Sequence, residues 1–136
     1  MADYANAASG LKARLDLRAK NLAFFESVRS SLFVEVEKAN SALIYEGVPT
    51  IEYREDTPLE LICAGAIATV GLDIMTPAIA TTIKNAAGEK SVTFFLQNDE
   101  TSTYARRASL APATEAKSTP EEIAAAIIEE LIAEAP

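Results

Sequence analysis

Ser91-Val92-Thr93-Phe94-Phe95-Leu96-Gln97 is the stretch on which the fold turns. In an extended chain Val92, Phe94 and Leu96 fall on one side and Thr93, Phe95 and Gln97 on the other, which is the two-residue period of a strand. Aromatic and β-branched side chains dominate it, and neither glycine nor proline interrupts it. On its N-terminal side, Asn85-Ala86-Ala87-Gly88-Glu89 reads as a hairpin loop, because Asn and Gly tolerate left-handed backbone. On its C-terminal side, Asn98-Asp99-Glu100 turns the chain into a weaker returning strand over residues 101–110.

Further upstream the pattern stays β-rich. Residues 72–84 are rich in Ile and Thr, with Pro77 in the middle, which predicts an edge position or a break into two pieces. Residues 59–70 are apolar and predict one strand, bulged or bent at Gly65. Residues 50–54 alternate, with Ile51 and Tyr53 opposed to Glu52 and Arg54, and Asp56-Thr57-Pro58 reads as a turn. Four to five antiparallel strands are expected.

Before the strands lies a proline-free run from Gly10 to about Ile44. Leu15, Leu22, Phe25, Leu32, Val36, Ala39 and Leu43 recur there at spacings of three, four or seven, which predicts one helical stripe. The alternation Val34-Glu35-Val36-Glu37 competes locally for a strand, but the longer period runs through it without a breaker. Gly47-Val48-Pro49 ends the helix. After a loop over residues 111–118, Thr119-Pro120-Glu121-Glu122 is a helix start, with a capping Thr, Pro at the first helical position and Glu to close a capping box. Ile123, Ile127 and Leu131 then form an apolar stripe. The expectation is a single α+β domain over residues 1–136, with residues 1–8 disordered and helices packed on one face of the sheet.

The 136-residue chain is 49% hydrophobic and 24% charged, the balance of an ordinary globular protein. Its net charge of −8 disfavours nucleic acid as a partner. Residues 1–40 carry six basic and five acidic side chains, whereas residues 41–136 carry six and fifteen. One cysteine permits no internal disulfide, the N-terminus does not read as a signal peptide, and no apolar run is long enough to span a bilayer. A cytoplasmic protein without a membrane partner is expected. In size, charge and order of elements the chain resembles bacterial secretion chaperones, but their usual internal helix is absent from the predicted elements, and no residue is carried over from them.

The residue inventory argues against most catalytic chemistry. There is no histidine, which removes the commonest general base and metal ligand. Cys63, between Ile62 and Ala64, reads as a buried small hydrophobe. Asp73 and the group Glu52, Arg54, Glu55 and Asp56 read as solvated. No cofactor, no metal site and no enzymatic activity are expected. Tyr104, Arg106 and Arg107 are the candidate ligand-binding group, since two arginines in an acidic body suit a carboxylate or phosphate. The competing expectation is that they meet the protein's own carboxylates.

Length supplies the last argument. A helix over residues 10–44 is about 50 Å long, whereas a 136-residue globule is roughly 35–40 Å across. An overhang would leave Leu11, Leu15, Leu17 and Leu22 as a candidate interface, with a second copy through a two-fold axis as the simplest partner. A non-catalytic protein-interaction or assembly module is therefore expected. The alternative is a domain binding a small apolar or anionic ligand between residues 59–70 and 72–84.

Overall fold

A computed structural model describes residues 3–56, 58–98, 102–107 and 117–136. The chain is α+β: helix α1 (Ala5–Tyr45), six strands and helix α2 (Pro120–Glu134). The strands are β1 (Glu52–Arg54), β2 (Leu59–Cys63), β3 (Ala66–Asp73), β4 (Ala78–Asn85), β5 (Gly88–Asn98) and β6 (Thr103–Arg107). They form one antiparallel sheet in sequence order, β1-β2-β3-β4-β5-β6, so that each strand pairs with its chain neighbours.

Six strands exceed the four to five expected, and the extra one comes from residues 59–70. These form a hairpin, with Cys63 opposite Ala66 and a two-residue loop of Ala64 (φ 46°) and Gly65 (φ 87°). Such a loop needs positive φ at both positions to match the twist of its strands. Alanine seldom adopts that conformation, so Ala64 carries no turn signal and Gly65 alone looked like a bulge. Pro77 does break residues 72–84 in two: β3 ends at Asp73 and β4 starts at Ala78. Asp73 is exposed and ties the connection, its carboxylate accepting from the Met75 and Thr76 backbone N–H groups and from the Thr76 hydroxyl. The loop after β4 closes as expected, with Asn85 Oδ1 accepting from the N–H groups of Ala87 and Gly88. The expected strand over residues 101–110 appears as β6 from Thr103 to Arg107, with Ser102 just outside it; positions 101 and 108–110, like most of the expected 111–118 loop, lie outside the described residues.

α1 begins at Ala5, five residues before Gly10, so residues 5–8 are helical where disorder was expected. Asp3 Oδ1 accepts from the Ala5 N–H at 2.9 Å. The helix runs through Val34–Glu37 without a break and stops where predicted. The Gly47 N–H bonds the Ile44 carbonyl and the Val48 N–H the Leu43 carbonyl, with Gly47 at φ 70°. This is the double bond of a helix C-terminus that wants glycine. α2 starts as read: Thr119 Oγ1 accepts from the Glu122 N–H at 3.2 Å, and Pro120 opens the helix.

Register places Leu59, Leu61, Cys63, Ala66, Ala68, Val70, Ile79, Ile83, Val92, Phe94 and Leu96 on one sheet face, and all are buried. α2 covers this face with Ile123, Ile127 and Leu131, and α1 joins the same core through Val28, Leu32 and Val36. The opposite face carries Ile62, Ile67 and Phe95 among Glu60, Thr69, Thr82, Lys84 and Thr93, and is bare of helix among the described residues. No helix among the described residues is long and apolar enough to cross a membrane.

Candidate interaction surface

Forty-one residues of helix make α1 about 60 Å long, longer than the body it packs on. Asn21 marks where it enters that body. Asn21 is only 4% exposed, and its Oδ1 accepts from Asn98 Nδ2 at 3.1 Å at the end of β5. Before it, every described side chain from Asp3 to Lys20 is exposed, apart from the half-buried Gly10. This exposed arm is about 24 Å long for residues 5–20, and from Arg14 onward it runs beside the β3–β4 connection.

The arm continues the stripe that the body uses. On the body, Phe25, Leu32, Val36, Ala39 and Leu43 step by three, four or seven and lie against the core. Counting backwards in alternating steps of three and four gives Leu22, Arg18, Leu15, Leu11, Ala8 and Tyr4. That is the spacing of a helix seam that packs against another helix. In the body half the stripe is filled, with Leu32 fully buried and Val36 only 5% exposed. On the arm no described residue fills it: Leu11, Leu15 and Leu22 are each about half exposed and Tyr4 is 75% exposed. Leu17, grouped with these from the sequence, lies off the stripe. It lines a shallow 200 Å³ cleft with Ile74 and Met75 of the β3–β4 connection.

Charge changes sign at the same place. Residues 3–20 hold Lys12, Arg14, Arg18 and Lys20 against Asp3 and Asp16, whereas residues 21–136 hold eight basic and eighteen acidic side chains. Lys12 and Arg14 flank the stripe on either side, and Ala13 is opposite it. Tyr4 and Ala8 were missed from the sequence because the helix was expected to begin at Gly10.

The candidate anion group does not assemble. Tyr104 and Arg106 share a strand face, and the Arg106 guanidinium lies 5.6 Å from the Tyr104 ring centre, with Lys117 Nζ at 4.4 Å. Arg107, one residue on, faces the opposite way, and its Nη2 donates to Glu130 Oε1 of α2 at 2.9 Å. Adjacent strand residues alternate faces, so the two arginines never converge. Lys90 joins Arg107 on Glu130 at 2.6 Å. These two cations hold the Glu130 carboxyl below the ordinary glutamate range. Arg106 Nε is buried and without a hydrogen-bond partner among the described residues.

The clefts are open to solvent. One of about 290 Å³ is bordered by Leu59, Val70 and Leu72 together with Phe25 and Arg29, and another of about 340 Å³ by Lys20, Phe24 and Thr103. The core side of residues 59–70 and 72–84, expected as the wall of a ligand pocket in the alternative reading, is instead packed by α2. Cys63 is buried, and that burial pushes its thiol up. Glu52 bridges Arg54 and Glu55 reaches Arg29, both at the surface. No cluster of metal-ligating side chains is found among the described residues. No family model, no curated protein and no solved structure matches the chain.

Proposed function

We propose that the protein acts by association rather than catalysis, as an assembly or protein-interaction module whose contact surface is the arm of α1. The observation that supports this reading is the continuation of one apolar stripe from the core onto a segment the fold does not cover. Burying a whole leucine side chain is worth roughly 1.5–3 kcal/mol, so each half-exposed leucine offers a partner about 1 kcal/mol. The arm is also dispensable to the body, since its side chains before Asn21 lie outside the core. A second copy or another protein is the occupant; a small ligand has weaker support, because the sheet's core face is filled.

Deleting residues 1–18 tests this reading. The truncated protein should melt like the full chain while losing its association, read as self-association by light scattering or as cross-linked partners in cells. Association that survives the deletion would sink the proposal.

A further inference from the structure

We infer that the occupant of the arm is the arm of a second copy, running antiparallel about a two-fold axis level with Ala13. This rests on the reading of the arm as a contact surface and adds the partner and the register. In that arrangement the stripe is self-complementary. Set antiparallel about residue 13, Leu11 lies level with Leu15 of the second copy, and Leu15 with its Leu11. Ala8, the one small residue of the stripe, lies level with Arg18, the one cation in it, so the long side chain passes over the methyl group and out to water. Tyr4 lies level with Leu22 at both ends, where the arm of one copy reaches the body of the other. Large meets large and small meets long at every level. A parallel pairing would set Ala8 against Ala8 and Arg18 against Arg18.

The overlap is about 28 Å for residues 4–22. Such a contact buries about 1,000 Å² in total, the small end of specific interfaces. The pair is therefore expected to be reversible and dependent on protein concentration. Its flanks repel: Lys12 faces Lys12 of the second copy on one side of the seam, and Arg14 faces Arg14 on the other. Apolar burial drives the pairing and like charge opposes it. Salt must therefore tighten this dimer, whereas salt would loosen an arm held on an acidic surface.

The experiment uses the full-length protein. Light scattering from about 0.05 M to about 1 M sodium chloride should show the dimer fraction rising, with the dissociation constant falling several-fold. A short bis-maleimide should link the Lys12→Cys variant into dimers and leave Ala13→Cys, on the opposite side of the helix, as monomer. Leu11→Asp with Leu15→Asp should abolish both signals with an unchanged melting temperature. Three outcomes overturn the inference: linking at position 13 as fast as at 12, a dimer that weakens as salt rises, or a monomer at every salt concentration. Should the monomer still lose a cross-linked protein partner on Leu11→Asp with Leu15→Asp, the occupant is wrong while the interaction surface stands. Should that double variant change no association of any kind, both fall. Binding of the arm to anionic phospholipid vesicles in place of a second copy would also overturn the inference.

Discussion

Asn40 holds both polar groups of the Ile51 backbone: its Nδ2 donates to the Ile51 carbonyl at 3.1 Å and its Oδ1 accepts from the Ile51 N–H at 2.7 Å. The side-chain amide thus takes the place of a neighbouring strand just ahead of β1, and it ties the edge of the sheet to α1. Asn40→Ala leaves a half-buried donor and acceptor without partners. The expected loss is about 1–3 kcal/mol in chemical denaturation. A loss below a few tenths would mean that water replaces the amide at no cost.

Glu130 predicts a pH dependence. Lys90 and Arg107 both hydrogen-bond its carboxylate and lower its pKa. A carboxyl lowered on folding contributes stability above its unfolded pKa of about 4.3 and loses that contribution as pH falls through the folded value. Both cations are more than a third exposed, so water screens the pairs. Glu130→Gln should cost up to about 1 kcal/mol at neutral pH. The gap between variant and parent should close in acid. A gap that widens below pH 4 would contradict the assignment.

Thr81 is 1% exposed, and its hydroxyl has no hydrogen-bond partner among the described residues. It sits on the core face opposite Val70 and Val92. Valine has nearly the same shape and suits a strand better. Thr81→Val should raise stability by up to about 1 kcal/mol, because an unpaired buried hydroxyl is costly. Thermal melting measures it, and a lower melting temperature would show that the hydroxyl has a partner after all.

Cys63 should label only when the protein opens. The thiol is 3% exposed beside the Ala64–Gly65 turn, and burial raises its pKa. Reaction with a thiol reagent at neutral pH should therefore follow the unfolding rate and accelerate in denaturant. Labelling within seconds under native conditions would place the sulfur at the surface.

Legibility in the sequence tracked how local the physics is. Thr119-Pro120-Glu121-Glu122 carries its cap within four residues, and α2 starts there. Residues 91–97 alternate strongly enough to fix a strand, although β5 extends beyond them at both ends. Gly47 announced the end of α1. The Ala64–Gly65 turn stayed hidden because its geometry is imposed by the ladder on either side, not by alanine's own preference. The start of α1 was quieter: Tyr4 makes no side-chain cap, and the Asp3 carboxylate that accepts the Ala5 N–H lies among residues expected to be disordered. Tyr104 and Arg106 were rightly placed on one face, but the capture of Arg107 by Glu130 depends on where α2 lies, 23 residues away in the chain. The stripe of α1 was legible over its length from Leu15 to Leu43. Which half of it the body would cover was a matter of tertiary packing.

The strict meander has a consequence during synthesis. Every strand meets its partner from the chain just before it, so loop closures are short and the sheet can assemble as it leaves the ribosome. Its apolar face, however, is sealed in part by Ile123, Ile127 and Leu131 of α2, which follows every strand in the chain. Until α2 emerges, Phe94, Ile79 and Leu61 have only α1 to cover them among the described elements. The nascent protein is therefore most prone to clump in that interval, and a stop before Thr119 would release a sheet with half its cover missing.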